Sequence, residues 1–152
     1  MRSSTIRTAL AAVLATGVAA AAADAAPRKV MPDREYYGVS RMAPLTDKAG
    51  DPVNGKVVVR TKGLCLSCHT APIPEEPDHG DVAPDLAGVG SRLQPPELRM
   101  RIADPKVVFP DTIMPSFLKK QGLNRVAAAW EGQTILTPQE IEDVVAYLST
   151  LK

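Results

Sequence analysis

Large apolar groups are scarce in this chain. Six aromatics among 152 residues (Tyr36, Tyr37, Phe109, Phe117, Trp130 and Tyr147) give a small domain little bulk from which to build a core. Cysteine and histidine are nearly absent too, with Cys65, Cys68, His69 and His79 making up both sets. A closed zinc site would therefore have to recruit both histidines alongside the two thiols. Neither sign of charge predominates, with 18 basic and 17 acidic side chains, so nothing points to nucleic acid or to an acidic membrane surface. No apolar run reaches the ~20 residues that a membrane-crossing helix needs.

The nearest approach to such a run is at the start. Arg2 and Arg7 precede an Ala-rich apolar stretch from Ala9 to Ala23, which ends in Ala23-Asp24-Ala25. A basic region, a short apolar region and a small-x-small site read as a signal peptide over residues 1–25, removed on export. No Arg-Arg pair is present, which favours general secretion over the folded-protein route. Removal takes two arginines and one aspartate, leaving 16 basic and 16 acidic side chains on 127 residues, the size of one small domain. No membrane span then remains, and in a bacterium the destination is the periplasm. Residues 26–50 hold Pro27, Pro32, Pro44 and Gly50 without a helical period. They read as an irregular arm whose Tyr36, Tyr37, Val39 and Met42 either pack or stay at the surface.

What the chain does have is Cys65-Leu66-Ser67-Cys68-His69. Two thiols within one turn can each form a thioether to a vinyl edge of the same haem, and the following imidazole then lies under the iron. A redox dithiol belongs at a helix start in a βαβ context, which this sequence lacks. Haem would also supply the missing apolar bulk.

The flanking segments read as helices and loops that frame this motif. Asp51-Pro52 is an N-cap followed by a proline at the first helical position. It opens a helix to about Thr61 through Val53, Val57, Val58 and Val59, although three consecutive valines also favour a strand. Gly55 within it marks a close approach by another helix. Residues 71–90 form a proline- and acid-rich loop in which His79 reads as a solvated side chain, with iron ligand as the outside alternative. A ligand histidine needs an acceptor for its other ring nitrogen; Pro84, with no N–H, offers only its carbonyl, but the residues alone do not single it out. Pro95-Pro96-Glu97 starts a helix to about Ala103 with Leu98 and Ile102 on one face. Pro110 and Pro115 then bracket a loop that holds Met114, a soft thioether that is better placed than Met31 and Met42 in the arm or Met100 in a helical stripe. Trp130, beside Gly132, reads as ordinary packing, with cover for the haem or a partner surface as the alternative. Thr137-Pro138-Gln139-Glu140 is a capping box, and Ile141, Val144, Val145, Leu148 and Leu151 follow at helical spacing with Tyr147 on the flank. This last helix should cross the first near Gly55.

Helix, Cys-x-x-Cys-His, proline loop, helix, Met loop and terminal helix together resemble the class I c-type cytochromes. That resemblance implies an all-α fold over residues 51–152, small helices wrapped around one haem c held by two thioethers. It implies that Cys65 and Cys68 hold the macrocycle, that His69 and Met114 hold the iron, and that Pro84 gives its carbonyl to His69. A narrower resemblance is to SoxX, the monohaem cytochrome family of the sulfur-oxidation (Sox) system. It is carried by Gly80-Asp-Val-Ala-Pro-Asp-Leu-Ala-Gly-Val89, Asp111-Thr-Ile-Met-Pro115, Gly122-Leu-Asn-Arg-Val126 and Leu136-Thr-Pro-Gln-Glu140. It implies a SoxA-like haem subunit as partner, in a complex that joins thiosulfate to the cysteine of a carrier protein (an L-cysteine S-thiosulfotransferase). This chain would take up the electrons and pass them to a downstream acceptor, with no catalytic residue of its own. The alternatives are a free-standing periplasmic electron carrier and a thiol redox enzyme.

Overall fold

Asp51 begins the domain's first helix as the sequence requires. Its carboxylate accepts from the Val53 and Asn54 amides at 2.8 and 3.4 Å, capping α1 (Pro52–Arg60), a contribution of about 1 kcal/mol. The computed structural model describes residues 42–152. The signal segment and the arm up to residue 41, with Met31, Tyr36, Tyr37 and Val39, lie outside the described residues. Three more helices follow: α2 (Val89–Arg92), α3 (Pro95–Ala103) and α4 (Pro138–Thr150), with 3-10 turns at Cys65–Ser67, Pro105–Val107 and Ala128–Trp130. Among the described residues there is no strand. No helix there is long and apolar enough to cross a membrane.

The valine run of α1 is helical because tertiary packing overrides its strand preference. Only Val58 and Val59 are buried, at 5% and 0% exposure, while Val53 and Val57 face outward. They pack with Ile141, Val144, Val145 and Leu148 of α4 in one core. Gly55 is the point of closest approach: a Cβ there would stand 1.9 Å from the Asp143 carbonyl oxygen and 2.9 Å from the Tyr147 Cβ. Any side chain at 55 would push the two helices apart. On α3, Leu98 and Ile102 both enter the core.

α4 starts with the reciprocal capping box. The Glu140 amide donates to Thr137 Oγ1 at 3.2 Å, and the Thr137 amide donates to Glu140 Oε2 at 2.7 Å. Ile141, Val144, Val145 and Leu148 of the apolar stripe are buried as expected, with Leu151 partly buried at the helix end, but so are Tyr147, Glu142 and Asp143, because α4 is covered on more than one side. Residues 42–51 run along it. Glu142 accepts the Leu45 amide at 2.8 Å and forms a two-pronged pair with Arg99 of α3 at 2.6 and 2.7 Å. Arg99 also donates to the Met42 carbonyl at 2.9 Å. Asp143 accepts from the Asp51 amide at 2.9 Å and from the Asn54 side chain at 2.7 Å. Met42 and Leu45 pack on the core, so this part of the arm belongs to the domain and is no loose tail.

Two expectations follow. Gly55→Ala should lower the unfolding free energy by about 3 kcal/mol or more, because the clash is with backbone and cannot be relieved by a rotamer; denaturant titration measures it. Arg99→Ala should cost about 3–5 kcal/mol by leaving the Glu142 carboxylate buried without its partner, whereas Arg99→Met with Glu142→Leu should recover most of that. Desolvation raises the Glu142 pKa, but the Arg99 and Leu45 hydrogen bonds and the Arg99 charge outweigh it and hold the group below the usual range. A depressed carboxyl stabilises the fold above its unfolded value near pH 4 and loses that contribution as pH falls through the folded value. Acid should therefore destabilise the parent more than the apolar double variant.

Candidate haem site

The motif is delivered by the end of α1. The Gly63 amide donates to the Val58 carbonyl at 2.8 Å, and Leu64 turns left-handed at φ 47° to start the 3-10 turn at Cys65–Ser67. Within that turn the Cys68 and His69 amides both donate to the Cys65 carbonyl, at 3.2 and 2.9 Å. Both thiols are unpaired and half-buried. Gly63 lies so near that a Cβ there would sit 3.1 Å from Cys65 Sγ.

The proline-rich loop is laid against the motif by three backbone bonds. Gly80 donates to Leu66 at 2.8 Å, Ala83 to Cys68 at 3.0 Å, and Leu86 to Thr70 at 2.9 Å. Such close contact requires glycine at 80, where a Cβ would stand 2.3 Å from the Ser67 carbonyl oxygen. The result is that the Pro84 carbonyl oxygen lies 2.6 Å from His69 Nδ1. A carbonyl can only accept, so Nδ1 carries the hydrogen and Nε2 presents its lone pair. Arg92 braces the same turn by donating to the carbonyls of Ala87 at 2.6 Å and Asp85 at 2.8 Å.

His79 is not the solvated side chain expected from its acidic, proline-rich surroundings. Its Nδ1 accepts the Ala71 amide at 3.2 Å, and Nε2 is buried with no protein partner. The ring is part of the loop's own scaffold, supplying the acceptor for the Ala71 amide. Trp130, expected to pack, is 49% exposed on its 3-10 turn.

Met114 lies half-buried against the core that also contains Leu66 and takes in Cys65 at its edge. Its amide donates to Thr112 Oγ1 at 3.2 Å, which shapes the loop around it. Next to each candidate segment stands an exposed apolar side chain: Leu64 beside Cys65, Val82 before Pro84, and Ile113 beside Met114, at 65%, 67% and 82% exposure.

This donor set suits haem better than its rivals. The imidazole has a fixed tautomer, the thioether is neutral and soft, and apolar side chains flank all three segments. Desolvation, partly offset by a backbone hydrogen bond, pushes the Cys65 thiol up to about 11, the opposite of the lowered value that a working redox dithiol needs. Among the described residues no group of three or more His, Cys, Asp and Glu could hold a metal ion, so the four-ligand zinc arrangement is not assembled.

The cytochrome c family matches residues 52–152. The chain belongs to the cytochrome c family. Its fold is all-α and of class I type, and the family's cofactor is covalently attached haem c, for which Cys65 and Cys68 stand in the attachment motif. The solved structure of SoxXA from P. pantotrophus is similar, at 37% sequence identity and a TM-score of 0.66, over 72% of this chain and 88% of that one. This cytochrome is thus SoxX-like. No curated protein matches it.

Replacing the two histidines separates their duties. His69→Ala should abolish most holoprotein, read as haem per polypeptide after export. His79→Ala should keep the haem and its spectrum while lowering stability by about 1–3 kcal/mol, the cost of an orphaned Ala71 amide. Equal haem loss in both variants would contradict this division.

Proposed function

We propose that this cytochrome is the electron-accepting haem subunit of a two-subunit complex that joins thiosulfate to a cysteine of a carrier protein. Its partner is a SoxA-like haem protein, and a downstream acceptor takes the electrons away. The observation that carries this reading is the 37% identity to SoxXA over 88% of that chain. We further infer that residues 1–25 are a signal peptide, that residues 26–50 are an arm whose last part, from Met42, packs on the cytochrome domain, and that the complex works in the periplasm.

Joining thiosulfate to a thiol forms a sulfur–sulfur bond, gives up two electrons and releases the thiol proton. Haem c, when bound, supplies a one-electron couple, so this subunit must pass on one electron before it takes the next. Cys65 and Cys68 would tether the macrocycle, and His69 and Met114 would hold the iron. With Nδ1–H given to Pro84, the His69 ring is oriented so that Nε2 would face the iron. A neutral thioether on the iron would favour the reduced form and raise the potential. Both thiols are used in attachment and leave no nucleophile for sulfur chemistry in this chain. The protein's part is to fix the ligands, exclude water and set the potential.

Native purification tests the assembly. More haem than one chain can carry, co-eluting with a second subunit and with thiosulfate-conjugating activity toward a carrier thiol, is the expected outcome; a one-haem monomer without that activity means a free electron carrier. Met114→Ala tests the ligand. It should leave haem attached, lower the potential and open the iron to cyanide, and unchanged potential and cyanide binding would place the ligand elsewhere.

A further inference from the structure

The loop that carries Met114 is knotted at both ends to one residue. Asp104 caps the C-terminal end of α3, where its amide donates to the Met100 carbonyl at 2.9 Å. Its carboxylate accepts the Ser116 hydroxyl at 2.6 Å, faces Lys119 Nζ at 3.4 Å and accepts the Lys106 amide. Ser116 is 4% exposed, so water cannot readily replace the carboxylate as its partner. Next to this bond, the Phe117 and Leu118 amides donate to the Ile102 and Ala103 carbonyls, both at 3.1 Å. Carbonyls at a helix end have no partner within the helix, so the returning chain is docked on the end of α3. On the outgoing side, Lys106 Nζ reaches the Thr112 carbonyl at 2.6 Å, and Thr112 Oγ1 takes the Met114 amide. The Asp104–Ser116 bond closes a loop of sequence separation 12, with Met114 two residues from the closure.

A neutral thioether is a weak ligand, and its hold on a metal depends on how little freedom its loop regains when it lets go. We infer that Asp104 is a positioning residue for the Met114 sulfur, keeping the loop in the single closed arrangement in which Met114 packs on the core. This rests on the reading of Met114 as an iron ligand. The polar partners of Asp104 lie on α3 and on the segment 106–119, none of them on α1 or α4. Loosening the clasp therefore acts on the loop and leaves the helix crossing alone.

The test uses ferric holoprotein of the parent and of Asp104→Ala, Asp104→Asn, Ser116→Ala and Met114→Ala, reading cyanide affinity and the sulfur-to-iron absorption. Met114→Ala should bind cyanide most tightly and lack that absorption. Asp104→Ala and Ser116→Ala should each bind cyanide about tenfold more tightly than the parent, the size of one buried charge-assisted hydrogen bond. Asp104→Asn keeps an acceptor for Ser116 without the charge and should fall between them and the parent. Should Asp104→Ala yield no holoprotein, Ser116→Ala decides alone. Parent-like cyanide affinity in the clasp variants, with or without lower thermal stability, overturns the inference while Met114→Ala behaves as stated. A parent-like Met114→Ala overturns the ligand assignment itself.

Discussion

Everything in this domain hangs on the contact between α1 and α4 at Gly55, where two backbones meet with no side chain between them. A chain with two phenylalanines and one tryptophan cannot fill a wide gap between helices. It closes the gap instead, by setting a glycine against the Asp143 carbonyl, so that valines and isoleucines are large enough to finish the core. That closure fixes the end of α1, which aims the turn that carries Cys65 and Cys68. The proline loop is then measured off from the motif by its three backbone bonds, and the Pro84 carbonyl arrives at His69.

The polar contacts serve the same geometry. Neighbouring acids on α4 work in different directions, Glu142 toward α3 and the 42–45 segment, Asp143 toward the start of α1. Buried ion pairs add little net stability compared with apolar packing, but they specify which segment lies where. Here they hold irregular chain against a helix that has few large side chains with which to grip it.

Local signals made much of this legible in the sequence. Thr137 with Glu140, Asp51 with Pro52, and the Cys-x-x-Cys-His run each encode their meaning within five residues, and Gly55 in a helix pointed to a close approach by another helix. What escaped notice depends on residues far apart. Glu142 and Asp143 look like the solvated side of a helix until Arg99 and Asn54 are brought to them. His79 sits among acids and prolines, so composition alone made it a surface group; its partner is an amide eight residues away that no pattern marks. Nothing local marks Gly80, because the Ser67 carbonyl that excludes a side chain there comes from another segment. Asp104 and Ser116, each an ordinary turn residue alone, become a clasp only through the fold.

The Asp51–Asp143 bond joins positions 92 residues apart, and it lies beside the helix crossing. Bringing such distant points together costs about 4 kcal/mol of chain entropy before any contact is gained. The intervening chain, with the haem motif and both loops, is thus a long span pinned where its ends meet. A circularly permuted chain, with Met42 and Lys152 joined by a linker and new ends opened at the exposed Ala127–Ala129 stretch, would make that meeting local. It would keep every contact of the crossing and move the entropic cost to the Met114 side of the molecule.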